Sequence, residues 1–105
     1  MRYEVILAPD AAKAYKKLSA RIRSQVRDAL EIHLRHEPAK ISKSRIKRLR
    51  GVSRPQYRLR VDEIRVFYDV KETTVEILAI LQKADAQKWL EKEGTAGTGG
   101  GASGS

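Results

Sequence analysis

Three arginines stand at positions 58, 60 and 65, inside the stretch YRLRVDEIRVFYDV that runs from Tyr57 to Val70. A guanidinium carries its donors in a rigid planar fork that matches two oxygens of one phosphate. If Asp62 and Glu63 are the two-residue turn of a hairpin, Val61 pairs with Ile64, Arg60 with Arg65, Leu59 with Val66, Arg58 with Phe67, and Tyr57 with Tyr68. Asp-Glu is not a favoured pair for such a turn, so a one-residue slip is the competing register. Within each strand the period of two is secure: Tyr57, Leu59 and Val61 share one face, as do Ile64, Val66, Tyr68 and Val70. Burying these apolar faces together collects Arg58, Arg60, Arg65 and Phe67 on the opposite side. Like charges directly across a sheet are destabilising, and an anion lying over them removes that cost. The hairpin therefore reads as a phosphate-binding face, with Phe67 placed to stack on a base or to pack under an arginine. The competing reading is a solvated face whose arginines pair with Asp69, Glu76 or the final helix.

The charge distribution points the same way. The chain of 105 residues has a formal charge of +9, from 22 Lys and Arg against 13 Asp and Glu. From Pro38 to Val61 there are nine basic residues and no acidic one, and removing those nine leaves 13 of each sign. They are Lys40, Lys43, Arg45, Lys47, Arg48, Arg50, Arg54, Arg58 and Arg60. Such a one-signed block fits a polyanionic partner. Cysteine is absent, which excludes disulfides, thiolate metal sites and a cysteine nucleophile. His33 and His36 lie three apart near a helix end with no third ligand in reach, so no metal or cofactor site is expected. No phosphate-loop, dinucleotide, serine-hydrolase or zinc-finger spacing occurs. The start of the chain has no secretory pattern and no apolar run approaches about 18 residues, so the expectation is a cytoplasmic protein without a membrane segment.

Elements must hold the arginines in place. RYEVILA alternates as a first strand, and Pro9 and Asp10 start a helix with Ala11, Tyr15 and Leu18 on one face. Ser19 caps a second helix, whose stripe is Ile22, Val26, Ala29, Leu30 and Leu34 and which Pro38 ends. Residues 40–56 lack periodicity and read as a loop, with a short strand near IKRLRG. After the hairpin, TVEILAIL is nearly continuous in apolar residues, as a strand covered on both sides should be. ADAQKWLEKE is a last short helix ending at Gly94. Lys83 stands at the junction between that strand and helix, within reach of a sheet-face cleft, and Trp89 is a packing anchor. The fold class is α+β, with an N-terminal strand, an α-helical hairpin, a three-stranded antiparallel segment completing a mainly antiparallel sheet, and a short C-terminal helix. Residues 1–94 are expected to form one domain. Residues 95–105, rich in Gly and Ser, read as a flexible tail or linker.

KRLRG, then YRLRVDEIRVFYDV, then the apolar strand VEILAIL resemble the RelE/ParE toxin superfamily of bacterial type II toxin–antitoxin systems, in the order as well as the content of the motifs. The family's pattern is a Leu-x-Gly element, a Tyr-Arg-Leu-Arg strand and an Arg-Val-x-Tyr strand. The resemblance implies a toxin. In the RelE-like branch this is an endoribonuclease that cuts messenger RNA on the ribosome without a metal, by attack of a 2′-hydroxyl on the adjacent phosphorus. In the ParE-like branch it is an inhibitor of DNA gyrase that cuts no RNA; a non-enzymatic RNA-binding module is the remaining alternative. Carried over by position, Arg65 is the phosphate-binding arginine, Lys83 lies near a second arginine, and Arg58 and Arg60 stand where RelE-like proteins have lysines. Lys43, Arg45, Lys47, Arg48, Arg50, Arg54 and Phe67 are the expected nucleic-acid contacts. Two positions depart from the pattern: Trp89 is nearest the family's tyrosine, and Gln82 stands where many relatives have histidine. The implied partners are an acidic, partly disordered antitoxin and messenger RNA on the ribosome, or alternatively gyrase.

Overall fold

The structure, a computed structural model, describes residues 2–96. Nine of the eleven residues assigned by sequence to the tail, 97–105, lie outside the described residues. Strand β1 (Glu4–Leu7) leads into α1 (Pro9–Lys17), where Pro9 occupies the first turn, in which an N–H is not needed. Asp10 at its start and Lys16 and Lys17 at its end complement the helix dipole. Ser19 caps α2 (Ala20–Ala29) by accepting from the Ile22 N–H at 3.3 Å. A π-helical turn, Leu30–Leu34, prolongs α2 and delivers both terminal leucines to the core.

Five strands form the main sheet in the order β1, β6 (Thr74–Gln82), β5 (Ile64–Lys71), β4 (Tyr57–Val61) and β2 (Ile46–Arg48). Only β1–β6 is parallel. The α1–α2 pair and the π turn cover one face, where Val26, Leu30 and Leu34 meet Leu59, Val66, Tyr68, Ile77 and Ile80. Tyr68 is fully buried, stacks on Tyr57 with centroids 5.4 Å apart, and donates its hydroxyl to the Pro38 carbonyl at 2.6 Å. That bond fastens the chain leaving the helices to the centre of the sheet.

The β4–β5 register is the one expected from the hairpin: Arg60 faces Arg65 and Arg58 faces Phe67. Asp62 accommodates the turn by adopting φ 56°, a left-handed conformation that aspartate tolerates better than most residues. In β6 the pairing skips Leu78, so Ala79 faces Phe67 while Ile77 faces Tyr68. The bulge lets Val75, Ile77 and Ile80 all reach the helix face despite their unequal spacing.

The other face is partly covered by α3 (Lys83–Glu93). Gly94 ends it with its N–H on the Leu90 carbonyl at 2.8 Å, and a Cβ there would lie 2.5 Å from that oxygen and 3.3 Å from Val52. Beyond it, Thr95–Ala96 (β7) pairs with Val52–Arg54 (β3), so the second sheet ties the helix end to the basic segment. Residues 95 and 96, read by sequence as tail, are thus strand. Among the described residues no helix is long and apolar enough to cross a membrane.

Candidate functional site

Alternation along β4 and β5 sends Arg58, Arg60, Arg65 and Phe67 away from the helical layer, because their neighbours Leu59, Ile64, Val66 and Tyr68 are drawn into the core. Arg58, Arg65 and Phe67 do not lie on an open sheet face. Helix α3 walls the arginines on one side, making a cleft of about 250 Å³ lined by Lys47, Leu49, Arg58, Arg65, Phe67, Lys83, Ala86, Gln87 and Leu90. Four of these side chains are cationic and none is a carboxylate.

Arg65 is only 7% exposed. Its Nη1 donates to the Asp62 carbonyl at 2.7 Å and the Ile64 carbonyl at 3.1 Å, so the main chain of its own turn holds the guanidinium. Two neutral oxygens orient the charge without cancelling it. Arg58 has a buried Nε with no hydrogen-bond partner. Desolvation, then the positive charges of Arg65 and Arg60, push its pKa below the ordinary arginine value. A guanidinium desolvated between like charges is poised to gain from an anion. Lys47 is the β2 partner of Arg58. Lys83 is set by its own N–H, which donates to the Glu63 carbonyl at 2.7 Å and so locks the start of α3 to the β4–β5 turn.

The remaining sequence candidates separate. Arg60 is exposed beside the cleft and its N–H donates to the Arg45 carbonyl at 2.8 Å, while the exposed Arg45 side chain lines a separate hollow with His33 and Glu37. Lys43 and Arg50 are exposed on the flanking segments. Arg48 points to the other face, over the Tyr57 ring at 5.3 Å, and donates to the Gln56 carbonyl at 2.8 Å. Arg54 lies beyond the Trp89 side of α3 and is occupied: it meets Asp69 at 3.5 Å and Glu76 at 3.2 Å. The two carboxylates considered as partners for the hairpin arginines are thereby taken. Asp69 also accepts the Gln56 N–H at 2.7 Å, yet its burial dominates and raises its pKa. Because Arg54 and Glu76 are about half-exposed and Asp69 keeps the Gln56 N–H, Arg54→Ala should lower stability by about 1 kcal/mol in a denaturant titration and leave oligonucleotide affinity within about twofold.

Phe67 requires a correction. By sequence it is a candidate to stack on a base, but it is 2% exposed and its ring lies against Trp89, centroids 5.2 Å apart and planes 12° from parallel. No face is open to a base. Trp89, expected as a packing anchor, is the side chain that closes it. Sequence reasoning missed Gln87 as a wall of the cleft, since an exposed glutamine on a short helix carries no signal of its own. By sequence Lys47 belongs to the basic loop, and its pairing with Arg58 brings it into the cleft.

A sequence model described as the ParE toxin of the type II toxin–antitoxin system parDE matches residues 5–87. No match is found among curated protein sequences. Among solved structures, the archaeal RelE–RelB complex from Pyrococcus horikoshii is similar at 26% identity and TM-score 0.65, covering 79% of this chain and 97% of that one. The toxin–antitoxin complex RelBE2 from Mycobacterium tuberculosis is similar at 26% identity and TM-score 0.61, covering 78% and 99%. A mutant of the E. coli toxin RelE in the free state shares the fold at 24% identity and TM-score 0.64, over 87% and 93%.

Proposed function

Because the chain belongs to the ParE toxin family of type II toxin–antitoxin systems, within the RelE/ParE superfamily, we propose that it acts as a RelE-like endoribonuclease, cutting messenger RNA on the ribosome and so inhibiting translation in the cytoplasm. The observation that carries this reading is the convergence of Lys47, Arg58, Arg65 and Lys83 on one cleft without a carboxylate. Attack of a 2′-oxygen on the neighbouring phosphorus builds a pentacoordinate phosphorane with extra negative charge. Donors already fixed in place stabilise that charge without reorganising. Arg65, oriented by the Asp62 and Ile64 carbonyls, holds the non-bridging oxygens, and Arg58 lies beside it. Arg60 positions the strand outside. The P–O5′ bond breaks as the 2′-oxygen bond forms, leaving a 2′,3′-cyclic phosphate. The 2′-proton passes to solvent or to ribosomal groups, and the departing 5′-oxygen takes a proton from the Lys47 or Lys83 ammonium. Tyr68 takes no part, since burial raises its pKa and its hydroxyl is committed to Pro38.

Solved relatives described as complexes with RelB support a cognate antitoxin as partner. An acidic, partly disordered chain that folds over the cleft would neutralise its charge.

A second reading, ParE-like inhibition of DNA gyrase, is favoured by the indole of Trp89, which is packed on Phe67 and offers no proton-transfer group. Purified protein added to a bacterial translation extract separates the two. New 5′ ends within codons, present only with ribosomes, support cleavage. An intact message with continuing translation transfers the activity to gyrase.

A further inference from the structure

The cations around the cleft fall in two rows across the sheet. In the first, Lys47 faces Arg58, which faces Phe67. In the second, two residues along each strand, Arg60 faces Arg65. Pleating puts both rows on the same side of the sheet, roughly 6.6 Å apart. That separation is close to the distance between successive phosphates of an extended single strand.

The ring and the amide in the walls around these rows are not free to read a base. The ring of Phe67 in the wall is occupied by Trp89. Gln87 carries the one amide among the lining side chains, and its Nε2 donates to Glu91 at 3.2 Å. Arg65 has its Nη1 tied to main-chain carbonyls and is only 7% exposed, so a single edge of its guanidinium is left for a ligand.

Resting on the RNA reading above, we infer that the cleft engages a single strand through two successive phosphates, one at each row, and is indifferent to the bases they carry. Base preference in the toxin's action then comes from outside this cleft. Exposed Arg60 is the strand's outer support, and Lys47 with Arg58 its inner one.

Fluorescence anisotropy with the full chain and labelled hexanucleotides tests this. Oligo-U, oligo-A and oligo-C should bind within about threefold of one another, and an abasic strand with the same phosphates should bind equally well. Neutral methylphosphonates at two adjacent central linkages should weaken binding more than tenfold, by about 1.4 kcal/mol or more. Lys47→Ala and Arg60→Ala, both at exposed positions, should each reduce the slope of log affinity against log salt by about 0.7. A tenfold preference for one base, or loss of binding to the abasic strand, overturns the inference while leaving the RNA reading intact. Absence of binding to every strand also overturns the inference, and the RNA reading is then decided by the ribosome-containing extract alone.

Discussion

Arg65→Ala is expected to abolish growth inhibition on induction while the protein remains folded. The guanidinium is buried, yet its hydrogen bonds are to main-chain carbonyls at the turn and not to a carboxylate. Its removal leaves no charge stranded. The cost is two weakened carbonyl interactions, about 1–3 kcal/mol. Against it stands relief of the like-charge contacts with Arg60 across the strand and with Arg58. A small shift in melting temperature accompanied by complete loss of toxicity fits a site in which Arg65 serves the anion. Retained toxicity in a folded variant removes Arg65 from the site.

The largest stability effect should come from Tyr68. Tyr68→Ala empties a fully buried position at the centre of the core and removes the bond to Pro38, so a loss of about 3–5 kcal/mol is expected. Tyr68→Phe keeps the ring on Tyr57 and strands only the Pro38 carbonyl, costing about 1–2 kcal/mol. The phenylalanine variant should retain full toxicity. Equal, severe losses of toxicity in Tyr68→Phe and Arg65→Ala, both folded, would instead give the hydroxyl a chemical role.

The hairpin was legible because both its strands keep one apolar face, and a slip of one residue would have turned Leu59, Val66 and Tyr68 to the wrong side. Ser19 was legible as a cap because the helical stripe restarts just after it. The bulge at Leu78 was not, since a run of apolar residues has no phase to break. The short strands Ile46–Arg48 and Val52–Arg54 draw their order from β4 and from β7, neither adjacent in sequence. The Arg54–Asp69–Glu76 cluster and the Phe67–Trp89 stack are likewise long-range contacts. For the site, the face of each arginine followed from local alternation, whereas the wall made by α3 and the placing of Lys47 needed the assembled sheet.

An anion lying against Arg58 and Arg65 defines the proposed site. The most direct test is to titrate a short single-stranded RNA into nitrogen-labelled protein and follow the arginine side-chain Nε–Hε resonances by nuclear magnetic resonance. The Arg58 and Arg65 signals should move first and together, while that of Arg54, held by Asp69 and Glu76, stays in place. Shifts confined to Arg48, Arg50 and Arg54, with Arg58 and Arg65 unmoved, would contradict the cleft as the site.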